Sequence, residues 1–291
     1  MRWTPGGTSE DIEDRRGEGG GGGGGFGGYG PHLGIGGFVV LLILSFVFKR
    51  NFFALVGAGG PSAGSRAPVA GPAVAGQRSP AEDRMVQFVS FVLDDVQNTW
   101  TRELAKENVP YRHAKLVLFT DSVRSGCGFA ETAMGPFYCP VDEKAYIDLG
   151  FYKELRDRFG ASGDFAQAYV LAHEIGHHVQ KIVGIESRAH AAMENDPSRA
   201  HDLSVRLELQ ADCYAGIWGH STEQRNILEQ GDVEQALNAA AAVGDDRIQK
   251  QATGRVNPET WTHGSSEQRV YWFKRGMDTG DVNNCDTFAA R

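Results

Sequence analysis

The chain has 291 residues, with 29 Lys and Arg against 37 Asp and Glu, for a formal net charge of −8 at pH 7. That length carries one sizeable core or two modest ones, and the acidic balance with scattered basic residues excludes a nucleic-acid binder, which needs a basic stripe. Glycine stands out at 38 residues, 13 of them within residues 1–32, a stretch with too few side chains to bury for a core of its own.

In chain order, residues 1–32 read as a disordered Gly-rich head, mixed in charge from Glu10 to Arg16 and unbroken glycine from Gly19 to Gly25. Residues 33–48, LGIGGFVVLLILSFVF, carry no charge, and after Lys49, Arg50 and Asn51 the apolar run resumes through Val56. Sixteen uncharged residues fall short of the roughly 20 that a membrane span needs. Lys and Arg snorkel toward headgroups, however, and lengthen the usable stretch. A soluble helix this apolar all round, set between glycines and a Pro/Ala-rich stretch, would have nothing to pack on. Residues 33–56 are therefore expected to be a retained single-span anchor. A cleaved signal peptide would need a convincing A-x-A site directly after the apolar run, and none follows. Positive charge is balanced across the run, with Arg2, Arg15 and Arg16 before it and Lys49, Arg50 and Arg66 after it, so charge leaves orientation open. Residues 57–78, rich in Gly, Ala, Pro and Ser, read as a flexible linker.

The domain expected over residues 79–291 opens at Ser79-Pro80-Ala81-Glu82. Ser at the N-cap, Pro at the first helical position and Glu at the third make a capping box. Apolar residues then recur at Met85, Phe88, Val89, Val92, Val96, Trp100 and Leu104 with helical spacing. Strand-like pieces at Lys115–Thr120 and Ala145–Leu149 flank a loop rich in Gly, Cys and Pro, and beyond residue 150 the pattern is helical. The expected class is α+β with helices dominating.

The chemistry gathers in a helix expected over residues 164–183. His173-Glu174-Ile175-Gly176-His177 sets two imidazoles at i and i+4, one turn apart on one face, so both reach a single metal ion. Glu174 projects beside that ion as a general base, the H-E-x-x-H arrangement of a zinc hydrolase. Two surface histidines on an amphipathic helix would give the same letters, but Tyr169, Leu171, Ala172, Ile175, Val179 and Ile182 make this helix apolar around the motif. His178 points about 100° away and reads as a bystander.

A catalytic zinc takes three protein ligands, and the downstream candidates are His190, His201, Asp202, Glu208 and Asp212. Glu208 is favoured, with His201 as its rival, because Asp212 lies one turn further along the same expected helix. There it can accept the distal N–H of a ligand histidine and fix its tautomer. His263, just before a helix start with Ser265 capping at Gln268, is either a stabiliser of the oxyanion or a loop histidine without a chemical role. Tyr146, Tyr214 and Tyr271 are weaker candidates for that part. Cys127, Cys139, Cys213 and Cys285 lack C-x-x-C spacing and, if oxidised, allow three pairings.

Taken together, HEIGHHVQ, LELQADCYAG, HGSSEQR and GPFYCPVDEKAYIDLGFY, with the opening RWTPGG and IEDRRG, resemble the neutral zinc metallopeptidase family of bacterial inner membranes. The resemblance implies a zincin-like, gluzincin-type domain with one zinc on His173, His177 and Glu208 and with Glu174 as base. It also implies a cytoplasmic N-terminus, a single membrane span and a catalytic domain in the periplasm. In that oxidising compartment the expected disulfides are Cys127 with Cys139 and Cys213 with Cys285. The expected activity is hydrolysis of peptide or protein substrates, with the strand at Ala145–Leu149 as an edge for an extended substrate. The competing readings are a membrane-tethered scaffold with structural or no zinc, and a zinc amidase acting on a non-protein substrate.

Overall fold

The computed structural model of the chain describes residues 1–17, 79–131, 135–157 and 160–289. The glycine run, the anchor expected at 33–56 and the linker at 57–78 lie outside the described residues. Among the described residues, no helix is long and apolar enough to cross a membrane.

The domain begins as its sequence dictates. Helix α1 (Pro80–Lys106) starts with the Ser79 side chain accepting from the Glu82 backbone N–H, while the Glu82 carboxylate accepts from the Ser79 backbone N–H. Its stripe of Phe88, Val89, Val92, Val96, Trp100 and Leu104 is buried in the main core. Strands β1 (Ile12–Asp14), β2 (Lys115–Phe119), β5 (Phe137–Cys139) and β6 (Lys144–Asp148) form one sheet in the order β1-β2-β6-β5. The pairs β1/β2 and β2/β6 are parallel, and β5 runs antiparallel to β6. Both faces of β2 are covered: Leu116 and Leu118 face the main core, while Val117 and Phe119 join a smaller cluster with Tyr146 and Cys139. That two-sided burial explains why the strand is apolar without alternation. A hairpin of β3 (Ser122–Ser125) and β4 (Gly128–Glu131) is tied at its tip to β5 by the Cys127–Cys139 disulfide.

Two expectations are corrected here. Ala145–Leu149 is no edge: β6 lies between β2 and β5, so the outer strands are β1 and β5. Residues 1–17, expected to be disordered with the rest of the glycine-rich head, instead fold onto the domain. Glycine content averaged over residues 1–32 hid the anchors that precede the glycine run. Trp3 packs edge-on against Phe88, and its indole N–H donates to Asp164. Ile12 packs on the core through β1, and the Met1 ammonium sits 2.9 Å from the buried Asp232 carboxylate.

The remainder is helical: α2 (Gly150–Asp157), α3 (Asp164–Ile182), α4 (Ile185–Asn195), α5 (Ala200–Gln224), α6 (Asp232–Ala242), α7 (Asp245–Thr253) and α8 (Ser266–Thr279). Helix α3 packs against α1, α5, α6 and the sheet, so most of its faces are buried. Helices α5 and α8 cross closely, because Gly216 and Gly276 leave room for backbone to meet backbone. The Cys213–Cys285 disulfide pins the C-terminal segment to α5, as expected.

Candidate metal centre

The centre is built where α3 meets α5. Gly176, inside the H-E-x-x-H motif, faces Ala211: a Cβ there would lie 3.0 Å from the Ala211 carbonyl oxygen. The absent side chain lets α5 approach the face of α3 that carries both histidines. Glu208 arrives opposite them as a result. The His173 Nε2 lies 3.2 Å from Glu208 Oε2, and the His177 Nε2 lies 3.5 Å from Glu208 Oε1. The three residues offer donor atoms within 4.8 Å of one another, a group suited to one metal ion.

The donor set also passes a chemical test for zinc. Two imidazole nitrogens and one carboxylate form the ligand set of a catalytic site, provided both Nε2 atoms are free of protons. In the neutral rings, the hydrogen bonds of the other nitrogens leave Nε2 with the free lone pair. His173 Nδ1–H donates to Asp212 Oδ1 at 2.9 Å, and His177 Nδ1–H donates to Gln180 Oε1 at 2.9 Å. Each contact fixes a tautomer and aims Nε2 at Glu208.

Asp212 is fully buried and accepts from three sides. Besides His173, it takes the Tyr169 hydroxyl at 2.5 Å and a two-pronged contact from Arg269, Nε at 2.8 Å and one terminal nitrogen at 2.9 Å. Arg269 reaches it from α8, itself almost wholly buried. Gln180 spends its amide N–H groups on the Leu207 carbonyl and on Gln210, and Gln210 donates in turn to the Cys285 carbonyl. Tyr169, Gln180, Gln210 and Arg269 escape the sequence reading. Arg269 lies 57 residues from its carboxylate, a distance no local spacing bridges. Gln180 carried a signal: it sits at i+3 from His177 on an apolar helix, where a polar residue needs a partner.

Electrostatics follows from this packing. Burial pushes the His173 imidazole down, but the charge of the Asp212 carboxylate and the ring's hydrogen bonds to Asp212 and Glu208 outweigh it and raise it to about 9. Burial alone would raise Glu208, yet His177, the His173 hydrogen bond and His263 hold it well below the usual carboxylate range. Glu174 is buried, and that burial pushes its carboxyl up against the pull of His173 and His177. A carboxylate raised in this way is a better proton acceptor.

His263 stands partly exposed on the loop before α8, whose capping box at Ser265 and Gln268 forms as expected. Asp245 holds that loop by accepting from the backbone N–H groups of Thr262, His263 and Gly264, and lies 3.2 Å from His263 Nδ1. Burial lowers the His263 imidazole, but the Asp245 hydrogen bond and the charge of Glu208 raise it on balance.

The other candidates are placed elsewhere. His190 pairs with Glu186, Asp202 pairs with Arg206, and His201 is exposed on the first turn of α5. Both ring nitrogens of His178 are committed: Nε2–H donates to the Arg112 carbonyl and Nδ1 accepts from the Tyr138 hydroxyl, fastening β5 to α3. Tyr146 stacks on Phe137 and donates to Asp142, Tyr214 packs on Trp100, and Tyr271 is exposed.

A family described as "Putative neutral zinc metallopeptidase" matches residues 1–288. The chain belongs to this family. Similar relatives include the uncharacterized protein YpfJ of Escherichia coli, 46% identical over 289 residues and 99% of each chain. The uncharacterized protein Rv2575 of Mycobacterium tuberculosis is 50% identical over 191 residues, 62% of this chain and 64% of the relative. No solved structure matches. The family match spans the described arm as well as the domain, so membership does not rest on the H-E-x-x-H motif alone.

Proposed function

We propose that the chain is a zinc-dependent peptidase, zincin-like in its catalytic helices and attached to the inner membrane with its centre outside the cytoplasm. The observation that carries this reading is the convergence of both Nε2 atoms on Glu208, with buried Glu174 on the same helix turn. A zinc ion on His173, His177 and Glu208 would polarise the scissile carbonyl and acidify the attacking water. Glu174 then accepts that water's proton on its carboxylate and returns it to the leaving amine. His263, held through Nδ1 by Asp245, would donate to the oxyanion from Nε2. Tyr169 and Arg269 keep Asp212 in place, so that His173 does not turn away during turnover.

An extended substrate would add to β5, the outer strand that Tyr138 and His178 fasten to the metal helix. Two disulfides fit an oxidising compartment. A non-catalytic scaffold leaves the buried carboxyl of Glu174 without a purpose, since a structural site needs no base. The test is Glu174→Gln in the full chain. It is expected to keep wild-type zinc content and lose peptide hydrolysis by at least about 100-fold, the weight of a general base. Zinc-loaded Glu174→Gln that cleaves as fast as wild type would overturn the assignment.

A further inference from the structure

Residues 1–17 are built into the fold. Strand β1 adds to β2 in parallel, Ile12 opposite Leu116 and Asp14 opposite Leu118. Backbone bonds of 2.8 Å run from the Leu116 N–H to the Asp11 carbonyl and from the Arg15 N–H to the Leu118 carbonyl. Asp11 accepts from the fully buried Gln97 amide at 2.9 Å and from Lys115 at 2.8 Å. Lys144, two strands away on β6, reaches Glu13 at 2.6 Å. Without the arm, the Gln97 amide would lose its acceptor inside the protein and β2 would become an open edge.

A single membrane crossing by residues 33–56 would place the arm and the domain on opposite sides of about 30 Å of hydrocarbon. Backbone pairing between β1 and β2 is incompatible with that separation. We propose that the arm and the metal centre lie on the same side of the membrane, so that the apolar run does not carry the chain across once. Two crossings would return the chain to the same side but need roughly 40 apolar residues, and residues 33–56 are interrupted at Lys49-Arg50-Asn51. The pairing therefore speaks against a single crossing by the apolar run. The near balance of positive charge before and after it agrees, since no flanking bias selects a crossing direction. This inference stands on strand pairing and is independent of zinc or catalysis.

The test uses the full chain in bacterial cells with one added cysteine at a time, Thr8→Cys in the arm or Glu194→Cys in α4, both exposed positions. A membrane-impermeant maleimide is applied to spheroplasts before and after lysis. Equal labelling of both positions before lysis, or protection of both until lysis, is the expected result. Labelling of one position with the other protected until lysis would overturn the proposal, whatever the peptidase assay shows.

Discussion

At Asp212 one carboxylate serves a ligand histidine, a tyrosine hydroxyl and a guanidinium, and the metal chemistry depends on that commitment. With His173 raised to about 9, the metal-free protein carries a proton on that ring near neutral pH. Zinc needs the neutral imidazole, so zinc uptake near pH 7 should expel close to one proton from this site, falling to about half a proton at pH 9. The sign follows from the raised value: the proton stabilises the empty centre at low pH and is lost as pH climbs through 9. Asp212→Asn removes the carboxylate that raises His173. It is expected to weaken zinc about 10–100-fold and to reduce proton release, both read by calorimetry in buffers of different ionisation enthalpy. Unchanged affinity and proton release would mean that Asp212 does not act on the metal. Arg269 would then sit beside a neutral amide, so a stability loss of about 3–5 kcal/mol accompanies the change, and binding is measured below the lowered melting point. His173, Glu174, His177, Glu208 and Asp212 were legible because helical spacing places them. Arg269 and Tyr169 were not, because only tertiary folding brings them to the same carboxylate.

Among the elements, the crossing of α5 and α8 sets how accurately Asp212 and Arg269 meet. Gly276 makes that approach possible: a Cβ there would lie 1.9 Å from the Cys213 carbonyl oxygen, and no rotamer relieves a contact with backbone. Gly276→Ala is therefore expected to destabilise the protein by at least about 1–3 kcal/mol, the usual range for overpacking. The measurement is a denaturant midpoint at unchanged slope. A shift under about 0.5 kcal/mol, the size of a neutral surface change, would show that the helices part at no expense. Both capping boxes were legible from four residues each, since caps are local chemistry. Strand order was not. KAYID on β6 looks like an edge strand in isolation, and only the antiparallel β5 beyond it shows otherwise.

Across the whole molecule, both described ends of the chain close back on the metal domain. The arm joins the sheet at β2, and the C-terminal turn is tied to the ligand helix by Cys213–Cys285, with Gln210 hydrogen-bonded to the Cys285 carbonyl. The arm was invisible to composition because three residues of strand leave no periodicity, and its anchors are single residues at Trp3 and Ile12. The metal domain is thus completed by residues 1–17, and the decisive experiment belongs on the full chain. It is the zinc content of the purified protein, wild type beside Glu208→Gln. One tightly held zinc per wild-type chain, weakened by that substitution, is the predicted result. No zinc in wild type after reconstitution, or zinc held equally well without the Glu208 carboxylate, would contradict the three-ligand centre.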